Sequence, residues 1–169
     1  MKVSLPVLAI ILLGSILFRC QAIVAEIPPA TVTEDLRDEY YRANDDSDAA
    51  DLFYEKMEKV PEDAPARVLG YKGIAALVEA KHSFNPINKM RYFSEGSRLL
   101  DASIEKEPSN VELRFLRFTV QDNAPFFLDY HDQLEEDKKA ITTFLSDKTR
   151  VAASPSLALK ISEYLKENG

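Results

Sequence analysis

The sequence has very few of the residues that build disulfide-linked or metal-dependent proteins. Its 169 residues include one cysteine, two histidines and no tryptophan. One cysteine excludes a framework of intrachain disulfide bonds. His82 and His131 stand far apart, so they lack the one-turn spacing of a zinc-binding pair. We therefore expect no metal site and no cofactor.

The usual signatures of enzymes are missing as well. No serine or threonine stands in a nucleophile elbow, and carboxylates are too numerous in an acidic chain to identify an acid–base couple. A hydrolase or lyase would need a buried carboxylate–histidine pair, which the sequence does not indicate. We expect a protein that is not an enzyme.

Glycine is scarce, with 5 residues, and the formal net charge is −7. Few glycines among many alanines, leucines, glutamates and lysines favour helices over a turn-rich β-protein. An acidic chain without clustered Lys and Arg is unsuited to neutralising phosphates. Nucleic acid is therefore excluded as a partner.

Residues 1–22 have the pattern of a cleaved secretory signal peptide. Lys2 gives a positive start, and the apolar run Leu5–Phe18 is shorter than the ~20 residues of a membrane span. Small residues follow, which predicts cleavage after Ala22, with Ala25 as the alternative. We expect an exported protein, periplasmic or extracellular, with no membrane span in its mature form.

Cys20 raises the alternative of an outer-membrane lipoprotein. A lipoprotein signal has a small residue before its cysteine, whereas Arg19 is large and charged. This difference argues against a lipid anchor at Cys20. After the signal peptide we expect an extended leader over residues 23–32 and a single helical-repeat domain over residues 33–169.

Apolar residues at helical spacing, separated by capping and breaking residues, recur from Thr33 onward. They predict an all-α, antiparallel α-α array of about six to seven helices with one continuous core. Asp46 or Ser47, Asn88, and Ser109 or Asn110 are the expected capping residues. The acidic stretch 44–51 lacks the glycine of a calcium-binding loop, so we assign it to helix capping. We expect the aromatic connector of Phe126, Phe127 and Tyr130 to fill the core.

Two segments share one pattern, which we call the four-residue step. In it, one small residue, two large apolar residues and a proline follow each other at intervals of four positions. The first is Ala49, Phe53, Met57 and Pro61, and the second is Gly96, Leu100, Ile104 and Pro108. This step resembles the second helix of a tetratricopeptide repeat, although its period exceeds that family's usual ~34 residues and the family's tryptophan is absent. The resemblance covers residues 46–121. It implies a solenoid that binds a peptide or protein on its concave face.

A second resemblance lies in the block from Glu112 to Phe118, continued by residues 123–130 and by Glu136 and Asp137. This block is similar to a group of small exported proteins of Bacteroidota that carry no assigned function. The similarity implies a location in a Gram-negative cell envelope and no particular chemistry.

The predicted fifth helix has two apolar faces with a polar stripe between them. At 100° per residue, one face holds Leu113, Leu116 and Val120, the other holds Val111, Phe115 and Phe118, and the stripe holds Arg114, Arg117 and Gln121. A helix that is apolar on two sides lies centrally. Its arginines either have a structural role, by pairing with Glu135, Glu136 or Asp137 of the next helix or by capping loop carbonyls near Pro125, or they line an anion-binding groove.

These observations predict an exported, non-enzymatic helical-repeat module that binds a peptide or protein partner. The candidate binding residues are Arg114, Arg117, Gln121 and Tyr71. The alternative is a carrier that holds a small apolar or anionic ligand between its helices. An open groove with unpaired arginines would favour partner binding, whereas an enclosed apolar cavity would favour the carrier.

Overall fold

The protein is described by a computed structural model that covers residues 29–168, with side chains from residue 34 onward. Its α-helices are α1 (Pro29–Asp45), α2 (Ser47–Met57), α3 (Ala66–His82), α4 (Pro86–Lys106), α5 (Val111–Asn123), α6 (Leu134–Ser146), α7 (Lys148–Ala153) and α8 (Pro155–Asn168). One 3₁₀ turn, Phe126–Leu128, separates α5 from α6. The described residues contain no strand, which confirms the all-α array.

The array has one helix more than the expected six to seven. The additional helix is α7, whose six residues are too few to show an apolar period in the sequence. Successive helices pack against each other along the chain, and α1 also packs against α3. Within residues 29–168, no helix combines the length and the apolar character that crossing a membrane requires.

Helix α1 begins at Pro29, four residues before the expected start at Thr33. The prediction of an extended leader is therefore wrong for residues 29–32. Proline is tolerated in the first turn of a helix because the amide hydrogen that it lacks has no partner there. Residues 23–28 of the leader and the signal peptide over residues 1–22 lie outside the described residues.

Side-chain caps fix the starts of α2 and α5. The Asp46 carboxylate accepts a hydrogen bond from the Ala49 amide at 2.8 Å and caps α2, which explains part of the acidic stretch. Asn110 caps α5 by accepting hydrogen bonds from the amides of Glu112 and Leu113. Both capping predictions are confirmed.

Helix α4 is capped by Asn85 and not by Asn88, so this capping prediction is wrong. The Asn85 side chain accepts a hydrogen bond from the Ile87 amide at 2.9 Å, and Pro86 occupies the first helical position. Proline has its φ angle preset for that position, which fixes the helix start one residue after Asn85.

The described residues contain two apolar cores where the sequence predicted one. Helices α1 to α5 build the first core around Phe53, Met57, Tyr71 and Leu100. Helices α5 to α8 build the second core around Phe144. Helix α5 belongs to both. Leu113, Leu116 and Val120 contribute to the first core, whereas Val111, Phe115 and Phe118 contribute to the second. The two predicted apolar faces of this helix are therefore confirmed.

Helices α3 and α4 approach each other most closely at Gly73 and Gly96. A β-carbon placed on Gly73 would lie 2.7 Å from the Gly96 carbonyl oxygen, and one placed on Gly96 would lie 2.6 Å from the Gly73 carbonyl oxygen. The two backbones are therefore in direct contact. Neither position accepts a side chain without moving a helix.

The aromatic connector does not fill the core as expected. Phe126 and Phe127 are largely exposed to solvent, and only Tyr130 packs inward, with its ring 5.7 Å from that of Phe93. The connector is a short 3₁₀ turn, and such a turn has too few residues to bury three aromatic side chains on one side.

Candidate functional site

The polar stripe of α5 faces α6. Arg117 donates hydrogen bonds from Nε to Asp137 Oδ2 at 2.7 Å and from Nη2 to Asp137 Oδ1 at 3.0 Å. Its Nη1 donates to Asp101 of α4 at 3.1 Å. Burial alone would lower the pKa of Arg117, but the hydrogen bonds and charges of Asp137 and Asp101 raise it overall. We call these residues, together with Arg114, the Asp137 cluster.

Arg114 lies beside Arg117 in this cluster. Its Nη1 donates to Asp137 Oδ1 and to Glu136 Oε1, each at 2.8 Å. Its Nε donates to the Pro108 carbonyl oxygen at 2.7 Å and holds the turn before α5. Of the two interpretations offered for these arginines, the structure shows ion pairing with α6, through Glu136 and Asp137 and not through Glu135.

Gln121, the third member of the stripe, is fully buried one turn further along α5. Its Nε2 donates to Gln133 Oε1 at 3.0 Å. Its own Oε1 is buried and has no hydrogen-bond partner among the described residues. The hydrogen-bonding groups of the stripe are therefore directed into the fold, and the structure does not place them on an open surface.

Tyr71 lies in a different place from the other three predicted residues. Its hydroxyl donates to Glu112 Oε1 at 2.8 Å, and Glu112 is about 140–160° around α5 from Arg114 and Arg117. The structure thus brings Arg114, Arg117 and Gln121 to one side of α5 and Tyr71 to the other.

Arg37 completes this second cluster, which we call the Glu112 cluster. Its Nε and Nη2 donate to Glu112 Oε1 at 2.9 and 2.6 Å, and its Nη1 donates to Ser156 Oγ at 3.0 Å. Three helices, α1, α3 and α5, meet at the Glu112 carboxylate, and α8 joins the cluster through the contact of Ser156 with Arg37. Burial, followed by the charge of Glu112, holds the pKa of Tyr71 well above its ordinary value.

Arg37 and Glu112 could not be predicted as site residues, because no local sequence pattern connects them. Arg37 lies 75 positions before Glu112, and Tyr71 lies 41 positions before it. An acid in the first turn of a helix is ordinarily explained by the helix dipole. The only signal was the position of Glu112 between the two apolar faces of α5, opposite the arginine stripe.

An open groove of about 540 Å³ lies on the solvent side of the Glu112 cluster. Arg37 and Glu112 lie at its inner end, and its apolar wall includes Val111, Phe144 and Leu157. A volume of this size falls within the ~300–1,000 Å³ of typical binding pockets. We call it the α5–α8 groove, since the first turns of both helices border it.

Two arginines at the rim of this groove have no carboxylate partner among the described residues. Arg67, on α3, is exposed and forms no ion pair there. Arg150, on α7, lies over the ring of Phe144 with its guanidinium carbon 5.3 Å from the ring centroid. Their donors are available for a carboxylate, in contrast to those of Arg114 and Arg117.

Some of the carboxylates that line the groove already accept hydrogen bonds from other side chains. Glu112 accepts hydrogen bonds from Arg37 and Tyr71, and Glu107 accepts one from the Asn110 side chain at 2.7 Å. Glu34 lines the same groove and is exposed. The first turn of α8, whose amide hydrogens point away from the helix, adds positive potential at the border.

A smaller hollow of about 250 Å³ lies between α5, α6 and α8. Phe118, Leu134, Tyr164 and Leu165 form its apolar part. This volume is below the range of pockets that enclose a drug-sized ligand. The hollow therefore offers little support for the small-ligand carrier.

The side chains of both histidines form hydrogen bonds with backbone carbonyl oxygens. The Nε2 atoms of His82 and His131 lie 3.0 and 3.1 Å from the carbonyl oxygens of Ala43 and Ala124. Between residues 29 and 168, no group of three or more His, Cys, Asp or Glu side chains is arranged to hold a metal ion.

The fold and these clusters define the described chain as an all-α helical array with two internal ion clusters and one open, arginine-rimmed groove. No family model matches the chain, and neither a curated protein nor a solved structure shows significant similarity to it. The resemblances to tetratricopeptide repeats and to exported Bacteroidota proteins therefore stay predictions.

Proposed function

We propose that this chain is an exported, non-enzymatic interaction module that binds an acidic segment of a protein or peptide partner in the α5–α8 groove. The observation that carries the proposal is the pair Arg67 and Arg150, whose guanidinium groups flank the groove without a carboxylate partner among the described residues. Arginine binds carboxylates in a bidentate manner, which gives both strength and orientation.

The groove also has the mixed character that peptide recognition requires. Val111 and Leu157 provide apolar contacts for a side chain, and the Glu112 cluster holds Arg37 in place at the inner end. A segment with one or two carboxylates would pair with Arg67 and Arg150, which form no ion pair with the acids of the groove. Direct binding by Arg114, Arg117, Gln121 and Tyr71 stays a prediction, but their donors are already used within the fold.

Site-specific photo-crosslinking tests this proposal. A photoreactive residue is introduced at Ser109, which lines the groove, and a control is introduced at Ser162, which does not. After irradiation in cell-envelope extract, we expect adducts from position 109 alone. The double variant Arg67→Ala/Arg150→Ala should lose them, whereas Arg42→Ala/Arg98→Ala, outside the groove, should keep them.

Competition with defined peptides identifies the chemistry of the partner. A glutamate-rich peptide should suppress the adducts at position 109, and a lysine-rich peptide of equal length should not. Adducts that persist in the Arg67→Ala/Arg150→Ala variant, or that respond equally to both peptides, would refute an arginine-dependent groove.

The alternative of a small-ligand carrier makes a different prediction. Its site would be the hollow beside Tyr164, and a ligand there would quench or shift tyrosine fluorescence. A bound small molecule released by denaturing the purified protein, with no adduct at position 109, would favour the carrier over the interaction module.

A further inference from the structure

Beyond the groove, the described part of the chain has an exposed apolar surface along α4. Five large apolar side chains contribute to it, with exposed fractions of 103% for Phe84, 77% for Ile87, 49% for Met90, 89% for Phe126 and 79% for Phe127. We call this surface the α4 strip. Exposed side chains of this size are ordinary when single, but a group of them marks an interaction site.

The two ends of the strip are connected through one aromatic contact. Ile87, Met90 and Phe93 follow each other at three-residue spacing, so they lie along one side of α4. The ring of Phe93 contacts that of Tyr130, which follows the turn bearing Phe126 and Phe127. Tyr130 also donates a hydrogen bond to Asp101, further along α4, at 3.1 Å. The connector therefore lies against the middle of α4, beyond Met90.

The area of the strip matches that of a protein interface. Aromatic side chains bury ~150–250 Å² each, so the three exposed phenylalanines alone amount to roughly 400–700 Å². The largest apolar patch of an ordinary monomer is ~300–600 Å², and a standard interface covers ~800 Å² per partner. The strip is thus large enough to form most of a stable interface.

The charges at its two ends have opposite signs. No acidic residue lies between positions 80 and 94, where Lys89 and Arg91 are exposed beside Met90, and Arg91 also lies 4.0 Å from the carboxylate of Glu95. No lysine or arginine lies between positions 118 and 137, where Asp129 and Asp132 are exposed beside Phe127. One apolar strip therefore has a cationic end and an anionic end.

We propose that the α4 strip is the interface of a homodimer, with a second copy of this chain as its occupant. A two-fold axis near Phe93 places the Lys89 and Arg91 end of one copy against the Asp129 and Asp132 end of the other. In such an isologous interface, both charge contacts form twice and the apolar residues cover each other. This inference is independent of the groove, because the two surfaces share no residue.

Sedimentation velocity of the purified protein, over a range of micromolar concentrations, tests the proposal. We expect twice the mass of the chain, and the monomer for Ile87→Asp/Met90→Asp. Phe126→Ser/Phe127→Ser should weaken the dimer in the same way. Leu52→Asp/Leu159→Asp, which changes exposed apolar residues elsewhere, should leave the dimer intact. Circular dichroism confirms that each variant is folded.

Charge exchange distinguishes a second copy from any other occupant. Lys89→Glu/Arg91→Glu and Asp129→Asn/Asp132→Lys should each raise the dissociation constant about tenfold, since like charges then face each other. Asn is used at position 129 because it tolerates the left-handed backbone found there. All four changes in one chain should restore the dimer.

Two results would overturn the homodimer. One is a monomer at every concentration, and the other is a dimer that Ile87→Asp/Met90→Asp does not affect. Failure of the four-fold charge variant to restore association would exclude the antiparallel two-fold arrangement.

Discussion

Arg117 and Asp137 form a bidentate ion pair between α5 and α6, with hydrogen bonds of 2.7 and 3.0 Å. Asp137 is completely buried, and its two oxygens accept from Arg117 and Arg114. A buried carboxylate is tolerated because these guanidinium groups compensate its charge. The pair therefore holds α6 against α5 and fixes how the second core joins the first.

The first prediction concerns this carboxylate. Asp137→Ala leaves two arginines without their buried counter-charge and should lower the free energy of unfolding by about 3–5 kcal/mol. Glu136→Ala is the control, because that side chain bonds the same Arg114 but is 64% exposed, and it should cost at most about 1 kcal/mol. Chemical denaturation measures both. Equal losses would contradict a special role for Asp137.

The second prediction concerns the Glu112 cluster. Glu112→Ala should destabilise the fold by about 3–5 kcal/mol because Arg37 is left unpaired. Tyr71→Phe removes one hydrogen bond without leaving a cavity and should cost about 1 kcal/mol. In the double variant the two losses should not add, since the Tyr71 hydroxyl donates to the Glu112 carboxylate and either change removes this hydrogen bond. Additive losses would show that they act separately.

The third prediction concerns the contact between α3 and α4. Gly73→Ala would place a methyl group 2.7 Å from the Gly96 carbonyl oxygen, so the helices must separate. We expect a loss of about 1–3 kcal/mol, although alanine ordinarily stabilises a helix relative to glycine. In Gly70→Ala, the new methyl group would contact the end of the Leu113 side chain, which can shift. Thermal unfolding should show a smaller loss for Gly70→Ala, and the reverse order would contradict the packing argument.

The fourth prediction is a pH dependence at Glu79. Burial, and then the neighbouring Asp51 carboxyl group, raise the pKa of Glu79 above its ordinary value of 4.5, against the lowering charges of His82 and Arg91. The folded protein therefore holds this proton more tightly than the unfolded chain. The stability that protonated Glu79 contributes to the fold is fully present below pH 4.5. It is lost as the pH rises through the raised pKa of Glu79.

Glu79→Gln removes this loss, because glutamine cannot ionise. The thermal midpoint of the variant should exceed that of the wild type at pH 7, and the difference should shrink as pH falls to 4. Glu55→Gln, an exposed change on α2, should follow the wild type at both pH values. A difference between Glu79→Gln and wild type that is independent of pH would count against the raised pKa.

The local features of the fold could be predicted from the sequence. The 100° period of α5 separated Leu113 and Leu116 from Phe115 and Phe118, and these pairs belong to different cores. The two segments with the four-residue step also fold alike, each as a helix, a connection that contains the proline and a second helix. Periodicity and capping act over a few residues, so one sequence is enough to show them.

The candidate site could not be predicted as well, because its contacts join distant parts of the chain. The helical period put Arg114 and Arg117 on one stripe, but it could not show that Asp137 is fully buried there. Arg67 and Arg150 belong to α3 and α7, and only the packing of the array brings them to one groove. The exposure of Phe126 and Phe127 was missed for a similar reason: composition indicates apolar character, but only the position of the connector decides burial.

The central claim is that Arg114 and Arg117 stabilise the fold and that Arg67 and Arg150, at the rim of the α5–α8 groove, bind a partner. The most direct test compares Arg114→Ala/Arg117→Ala with Arg67→Ala/Arg150→Ala by thermal unfolding and by crosslinking from position 109. The first pair should lower the thermal midpoint. The second should keep the wild-type midpoint and lose the adducts. A folded Arg114→Ala/Arg117→Ala protein that loses its partner, together with unchanged crosslinking in the other variant, would contradict this account.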